Sequence, residues 1–283
     1  MKIKQYTPGM ELRGLIAGVP NELYHASGGV SNTGLKLIRR SPAHYRFQAA
    51  RAPSRAMHLG TAIHTALLEP DRFREEYVLL SEVTDRRSSA YKEAIKHHDP
   101  EVVLTGSEAD KVAGMQEAAY ASPVVRQILS REGHRELSLF TVDPVTGVKV
   151  RVRYDLLSGG EAVDVKSTQD ARPAEFAKSI FNYSYHMQAA LYCDAWEWEN
   201  GWDLDAFRFI AIETEMPHAA MAYLLDWTAL EEGRRMYREA LNMYAACERS
   251  GEWPAYHCEA DELIGLPQWR VAQIENELLE ELV

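Results

Sequence analysis

Cysteine is scarce in this sequence, and its scarcity limits the kinds of site that the chain can build. Only three cysteines occur in 283 residues, Cys193, Cys247 and Cys258, and no two of them form a CxxC pair. An odd number without paired spacing excludes both a disulfide framework and a four-cysteine zinc or iron–sulfur site. We therefore expect all three to be ordinary core or surface residues, and we expect no iron–sulfur cluster.

Long apolar runs are missing as well. The apolar stretches are short and interrupted by charge, and the first residues, MKIKQYTPGMELRG, lack the apolar centre of a signal peptide. No feature of the sequence therefore indicates export or membrane insertion. We expect a cytoplasmic protein without a membrane partner.

Positive charge is in deficit. The formal net charge is −11, with 31 Lys and Arg against 42 Asp and Glu. Such a balance excludes a protein that coats nucleic acid over a broad face, so any nucleic-acid binding must be local. With 46% hydrophobic residues the chain can bury a substantial core. Because it has no repeat, low-complexity tract or long linker, residues 1–283 are expected to form a single domain.

Helical patterns dominate the first part of the chain, residues 1–135. Apolar residues recur there at helical spacing, and Ser, Pro and acidic residues stand where helix caps are expected. This part is therefore predicted to be mainly helical. Five helices are predicted: NTGLKLIRR after Ser31, a helix opened by Ser41 and Pro42, MHLGTAIHTALLEP, SSAYKEAIKHH, and a helix from a capping box of Ser107 and Asp110 to about Leu129.

The pattern changes to strands in the second part, residues 136–225, and returns to helix in the third, residues 226–283. The order of these elements predicts an α/β fold in which helices flank a central β-sheet, with an N-terminal helical extension. The predicted strands are 137–142, 148–157, 162–167, 206–214 and 219–225; the predicted helices are 173–181, 184–199 and a long helix from Trp227 to about Glu248.

Two of these strands form a hairpin around Gly159 and Gly160. Charged and apolar residues alternate along both strands, so the charges are expected to share one face of the sheet. If the turn is centred on the two glycines, cross-strand partners have numbers that sum to 319, and Asp155 lies opposite Asp164. A slip of one residue would send one aspartate to the wrong face.

Two interpretations of this hairpin remain open on the residues alone. Like charges in opposite positions destabilise a sheet by up to about 1 kcal/mol, and Arg153 opposite Lys166 would repeat the conflict. A divalent cation such as Mg²⁺ between Asp155 and Asp164 would compensate, and Lys166 could act on water or on a phosphate. Alternatively, the hairpin is an ordinary solvated one whose diagonal ion pairs offset the repulsion.

The hairpin resembles the signature of the PD-(D/E)XK nuclease superfamily, in which one strand carries an Asp and the next a (D/E)xK triplet. Here these are Asp155 and Asp164-Val165-Lys166. Two further motifs resemble the branch that contains the RecB nuclease domain and the RecE exonuclease, exonuclease VIII. They are the helix GTAIHTALLEP, which contains His64, and the helix QAALY, which begins with Gln188 and ends with Tyr192. YHASGGVSNTGLKLIRRSPAHY, ELSLF and VKVRVRYD resemble the RecE-type, phage-associated subgroup. The resemblance covers about residues 20 to 200.

The sequence departs from the superfamily pattern at two positions. Tyr154 replaces the proline before the first aspartate, which leaves the metal ligand in place. Asp164 replaces the more usual Glu, so the carboxylate is retained on a shorter side chain that requires a slightly closer backbone approach. Neither departure removes a catalytic group.

The resemblance implies a fold and an activity. The fold would be a restriction-endonuclease-like core with a central mixed β-sheet. The activity would be that of an Mg²⁺-dependent deoxyribonuclease, with Mn²⁺ as a substitute, acting as a 5′-to-3′ exonuclease on linear double-stranded DNA in phage-type recombination. Expected partners are double-stranded DNA ends, further copies of the chain in a homo-oligomer such as a tetrameric ring, and a single-strand annealing protein.

The resemblance also implies roles for individual residues. Asp155, Asp164 and Lys166 would be catalytic, with Lys166 placing the attacking water. The predicted metal ligands are His64, Asp155, Asp164 and the backbone carbonyl of Val165, with Glu136 as a candidate extra acid. The predicted DNA contacts are Gln188, Tyr192, Arg151 and Arg153, the two arginines steering phosphates.

Alternatives remain for individual residues and for the chain as a whole. His64 could be a core histidine, and Gln188 and Tyr192 could be a buried tyrosine with a neighbouring amide. The whole chain could be an endonuclease or single-strand nuclease of the same fold, a non-catalytic DNA-binding or assembly module, or an unrelated hydrolase of small phosphate esters.

Overall fold

The computed structural model describes residues 2–49, 54–257, 261 and 263–280, with side chains in the last helix up to Glu275. Cys193 and Cys247 are buried and not disulfide-bonded, as expected from their spacing. Cys258, which was given the same expectation, lies outside the described residues. Within the described ranges, no helix combines the length and the apolar character needed to cross a membrane.

Seven strands of the described chain form one mixed β-sheet. Their order is β1-β2-β5-β6-β7-β8-β9, in which β1 with β2 and β7 with β8 are parallel and the other neighbours are antiparallel. A separate parallel pair is formed by β3 and β4. The strands are β1 (Ile3–Gln5), β2 (Gly14–Ala17), β3 (Val78–Leu80), β4 (Val103–Thr105), β5 (His134–Val142), β6 (Lys149–Ser158), β7 (Glu161–Thr168), β8 (Ala206–Glu213) and β9 (Ala220–Leu224).

Helices cover both faces of this sheet. One apolar core lies between the sheet and α2, α9, α10 and α11, and a second lies between the opposite face and α4, α7 and α8. The predicted α/β class, with helices flanking a mixed sheet, is confirmed. The helices are α1 (Asn21–Ala26), α2 (Asn32–Arg40), α3 (Pro42–Arg46), α4 (Arg55–Leu68), α5 (Pro70–Glu76), α6 (Ser89–Ala94), α7 (Gly106–Ala121), α8 (Pro123–Leu129), α9 (Pro173–Asn182), α10 (Tyr185–Asn200), α11 (Trp227–Ser250) and α12 (Gln268–Glu280).

Helix starts follow the predicted caps in two places and differ in a third. Ser31 and Ser41 accept hydrogen bonds from backbone N–H groups in the first turns of α2 and α3. The capping box of α7, however, is formed by Thr105 and Glu108, because the Glu108 carboxylate reaches back to Thr105 N at 2.9 Å. The predicted single helix to Leu129 is two helices, since Pro123 begins α8.

The first part of the chain is not a purely helical extension. Strand β2 pairs with β5 through Gly14 and Phe140, and β1 pairs with β2, so both strands belong to the central sheet. They have three and four residues, too few for an alternating pattern to be recognised in the sequence. The remainder of this part contains helices α1 to α8 and the strand pair β3 and β4.

Candidate active site

The hairpin has the predicted register up to the two aspartates. Strand β6 pairs with β7 from Ser158 opposite Glu161 to Leu156 opposite Val163. The turn residues Gly159 and Gly160 have φ of 56° and 82°, a conformation that glycine adopts without strain. Backbone pairing then stops, and Val165 N donates a 2.7 Å hydrogen bond to the Asp155 carboxylate instead. The gap between the strands therefore opens at the acidic residues.

Strand β6 also changes the face that its side chains occupy. Tyr154 packs in the core beneath α10, whereas Leu156 packs in the core on the α4 side, although alternation would give both the same face. Asp155 lies at the point of reversal. In the register of β5 with β6 it is level with Glu136, which has φ of 50° and is therefore in the left-handed region. A non-glycine residue in this conformation stores strain of about 1 kcal/mol or more, and such residues cluster at functional sites.

The reversal corrects one prediction. Arg153 and Lys166 were expected to lie opposite each other on one face, but they contact groups on different sides of the sheet. Arg153 stacks over Tyr24, 4.2 Å from the ring centroid, whereas Lys166 lies over the Tyr185 ring of α10. The expected conflict between two positive charges is therefore absent.

Helix α4 brings His64 to the reversal point. His64 Nδ1 is 3.3 Å from Asp155 Oδ2, and ligand atoms of His64, Glu136 and Asp155 all lie within 4.8 Å of one another. The His64 side chain is 27% exposed, and it lines an open cleft of about 540 Å³ together with Glu136 and Arg153. His64 is thus at the wall of a cleft and not enclosed in the core.

The acids of this cluster hold their protons more tightly than usual. Burial, and then the neighbouring Asp155, raise the pKa of Glu136 to about 8. Burial raises the pKa of Asp155 to about 6 against the lowering effect of His64, and the charge of Asp164 contributes to the rise. A bound cation would favour the ionised forms of both carboxyl groups, because it supplies the missing positive charge.

The second half of the site lies on β7 and α10. Asp164 is 4% exposed, and its Oδ2 is 2.6 Å from the Lys166 ammonium. Gln188 joins the pair, because its Nε2 donates to Asp164 Oδ1 at 2.6 Å and its Oε1 accepts from Lys166 at 3.2 Å. Burial lowers the pKa of Lys166, but Asp164 and Asp155 outweigh it and leave the pKa above its ordinary value. Lys166 is therefore protonated at neutral pH.

The predicted DNA contacts differ in their surroundings. Gln188 is buried against Asp164 and Lys166, whereas Tyr192, one turn along α10, packs edge-on against Tyr154 and Phe207. Arg151 donates hydrogen bonds to the backbone carbonyl oxygens of Ser27 and Gly29. Arg153 donates to the backbone carbonyl oxygen of Val19 and to the Ser138 hydroxyl. Both arginines therefore already have partners within the protein.

Comparison with known proteins assigns the fold. Residues 31–266 match the family described as PDDEXK-like domain of unknown function (DUF3799). The chain belongs to this family. This family description agrees with the superfamily whose signature Asp155, Asp164 and Lys166 resemble. No curated protein matches the chain.

A solved structure has the same fold at low sequence identity. A candidate exonuclease from Eubacterium rectale is 13% identical, covers 88% of this chain and 95% of its own, and superposes with a TM-score of 0.59. A phage-related exonuclease from Haemophilus somnus 129PT is 12% identical and covers 64% of this chain and 100% of its own, but its TM-score of 0.34 is too low to carry an argument. At such identities the likeness shows the fold alone.

The donors of the PDDEXK-like domain fit a hard divalent cation. Carboxylate oxygens of Glu136 and Asp155, with one imidazole, form the compact cluster, and Asp164 lies across the hairpin gap. The buried Asp164 Oδ2 has the Lys166 ammonium at 2.6 Å, in an ion pair that does not meet hydrogen-bond geometry. Carboxylate-rich sites of this kind suit Mg²⁺ and Mn²⁺. The Val165 carbonyl remains a predicted ligand.

Sequence reasoning missed two residues beside Lys166. Tyr185 carries Lys166 over its ring at 4.8 Å from the centroid, and Lys36 of α2 lies over the same ring at 5.7 Å. Lys36 is about 130 positions away in the sequence, within an ordinary amphipathic helix pattern. Because this contact depends on the packing of α2 against α10, no local pattern could have revealed it.

Proposed function

We propose that this PDDEXK-like domain is a divalent-metal-dependent deoxyribonuclease that degrades linear double-stranded DNA from its 5′ ends. The observation that carries the proposal is the junction at Val165. Its N–H bonds Asp155 of the acidic cluster, and its two neighbours are Asp164 and Lys166. The proposal thus places an acidic cluster suited to a divalent cation next to a protonated lysine, and the two are linked through the hairpin residues Asp155, Val165 and Lys166.

The roles follow from the charges. His64, Glu136, Asp155 and Asp164 would hold Mg²⁺ or Mn²⁺, which supplies Lewis-acid activation of the phosphodiester. Lys166, being protonated, would donate hydrogen bonds that orient the attacking water and stabilise the charge that develops on the phosphate oxygens. In the reaction water forms a new P–O bond, the bond to the leaving oxygen breaks, and that oxygen takes up a proton.

Gln188 would act as a positioning residue. It already bonds both Asp164 and Lys166, so it fixes the carboxylate and the ammonium relative to each other. Contact of Arg151, Arg153 or Tyr192 with the strand is the weaker part of the proposal, because each has interactions within the protein that a phosphate would have to replace.

The assembly of the domain belongs to the same proposal. By its resemblance to the RecE-type branch, it would work as a homo-oligomer, up to a tetrameric ring, beside a single-strand annealing protein in phage-type recombination. Light scattering of the purified protein gives its mass in solution, and a monomeric mass would contradict the ring.

The test is release of nucleotides from linear duplex DNA and from a closed circle of the same sequence, with Mg²⁺, Mn²⁺ or chelator. The proposal predicts metal-dependent release from the linear form alone. Cutting of the circle would favour the endonuclease, cutting of single strands alone would favour a single-strand nuclease, and binding without cutting would favour the binding module.

A further inference from the structure

A strained turn lies next to the catalytic lysine. Helices α9 and α10 are joined by Tyr183 and Ser184, and Ser184 has φ of 51° and ψ of 46°, which is left-handed backbone at a residue other than glycine. Such a conformation costs free energy and persists where the surrounding structure requires it. Its consequence is that the two flanking tyrosines stand side by side, with ring centroids 5.5 Å apart and planes 29° apart.

The two tyrosines of this turn have different surroundings. Tyr185 is half-buried, and its ring packs on Phe209 at 5.8 Å and on Phe176 at 6.4 Å between centroids. Tyr183 is 60% exposed, although it stacks on Tyr185. An exposed ring that is held on a fixed neighbour is a surface on which a further flat group can stack.

Lys36 places a positive charge at the same turn. Its ammonium donates to the Tyr183 carbonyl oxygen, and no described carboxylate lies within ion-pair distance of it. An ammonium has three donor hydrogens, so one backbone bond leaves it able to bind an anion. Lys36 and Lys166 also share the Tyr185 ring, and burial, then Lys166, lower the pKa of Lys36 to about 8. An anion between the two lysines would relieve their repulsion.

A nucleotide matches this pair of features. Its phosphate satisfies the cation without a carboxylate partner, and its base offers the flat face that stacks on an exposed tyrosine, as in proteins that bind single strands. An inorganic phosphate ion would bind Lys36 but has no flat group that could stack on Tyr183. Within a duplex both faces of a base are covered by its neighbours in the stack, so the ring favours a base that has left the stack, as an unpaired one can.

We propose that Lys36 and the Tyr183–Tyr185 turn form a subsite for an unpaired nucleotide adjacent to the scissile phosphate. Tyr183 stacks on the base, Lys36 binds the phosphate, and Tyr185 holds both next to Lys166. This inference rests on the proposed nuclease function, and it adds that the enzyme separates the terminal nucleotide from its complement before cutting.

The test compares two short fluorescent probes, each about eight nucleotides long: an oligothymidylate and its abasic counterpart with the same phosphates. Binding is measured by fluorescence anisotropy with chelator present, so that no strand is cut. Tyr183→Ala should weaken binding of the oligothymidylate about tenfold and leave the abasic probe unchanged. Lys36→Ala should weaken both probes equally and reduce the slope of log affinity against log salt by about one.

Two matched controls lie on α9. Phe181→Ala removes another exposed aromatic ring, and Lys178→Ala removes another lysine, which is paired with Glu175. Both should bind the two probes as the wild type does. Lys36→Arg should restore binding of the abasic probe, and thermal melting shows that each variant is folded.

The outcomes separate this subsite from the nuclease itself. If the wild type cuts duplex DNA but Tyr183→Ala binds oligothymidylate no worse than Phe181→Ala, the subsite is wrong and the nuclease stands. If base-dependent binding is lost with Tyr183→Ala while no DNA is cut by the wild type, the subsite stands and the nuclease is wrong. Wild-type protein that binds neither probe overturns the subsite.

Discussion

At the scale of single residues, the two acids beside His64 favour different protonation states with and without a bound cation. Glu136 and Asp155 are level with each other on adjacent strands, and both have a raised pKa because burial disfavours their charged forms. Without a cation, folding therefore favours their protonated states. The two acids that we propose as metal ligands thus weaken the metal-free fold at neutral pH.

The raised pKa of Glu136 predicts the direction in which the stability of the protein changes with pH. Its pKa is about 8 in the folded protein against an ordinary value of 4.5, so the folded state holds this proton more tightly. The associated stability is complete below pH about 4.5 and is lost as the pH rises through about 8. In chelator, the melting temperature of the wild type should fall over this window more steeply than that of Glu136→Gln. Mg²⁺ should raise the melting temperature of the wild type more. Equal pH profiles of the two proteins would contradict the assignment.

Asp164 is the residue on which the lysine depends. Asp164→Asn keeps the shape of the side chain but removes the charge that lies 2.6 Å from Lys166. Cutting should fall by at least about 100-fold, while the circular dichroism spectrum and the cooperative melting transition are retained. Unchanged activity would remove the hairpin from the mechanism.

Substitution of His64 tests whether this residue is a metal ligand or a structural histidine. His64→Ala should lower the cutting rate or raise the Mg²⁺ concentration needed for half-maximal rate, because it removes one member of the cluster around Asp155. His97→Ala, at an exposed histidine on the surface, serves as the control. A variant whose sole defect is a lower melting temperature would show that His64 stabilises the fold and does not act on the metal.

At the scale of elements, long patterns were predictable from the sequence and short or bent ones were not. The hairpin register followed from Gly159 and Gly160 alone, since a two-residue turn with positive φ fixes the pairing. The reversal of β6 at Asp155 could not be predicted, because an alternating sequence does not show where alternation fails. The register of the hairpin was therefore predicted correctly, but the faces of its charged residues were not.

The contact of α11 with α10 depends on a glycine. A Cβ at Gly233 would overlap the His186 carbonyl oxygen of α10, so the two backbones approach too closely for any side chain there. Gly233→Ala should destabilise the protein by about 1–3 kcal/mol in chemical unfolding. Gly60→Ala is the matched control in α4, where no atom lies within 4 Å of the added Cβ, and it should stabilise by up to about 1 kcal/mol. Similar effects of the two changes would contradict this packing.

At the scale of the whole molecule, two lysines meet at one place in an acidic protein. The net charge of −11 limits adhesion to nucleic acid over the rest of the surface, whereas Lys166 and Lys36 bring two positive charges to the Tyr185 ring. Composition predicts that any nucleic-acid binding is local, and the hairpin motif predicts its place. The cluster of lysines and tyrosines required the packed structure, because its members come from different helices and a strand.

The most direct test of the account is degradation of linear duplex DNA labelled at either the 5′ or the 3′ end, beside a closed circle. Wild type and Lys166→Ala are compared with Mg²⁺ and with chelator. The account predicts immediate release of the 5′ label from the linear duplex, dependent on both Mg²⁺ and Lys166, with the circle intact. Equal cutting by Lys166→Ala, or no cutting under any condition, would contradict a nuclease centred on this hairpin.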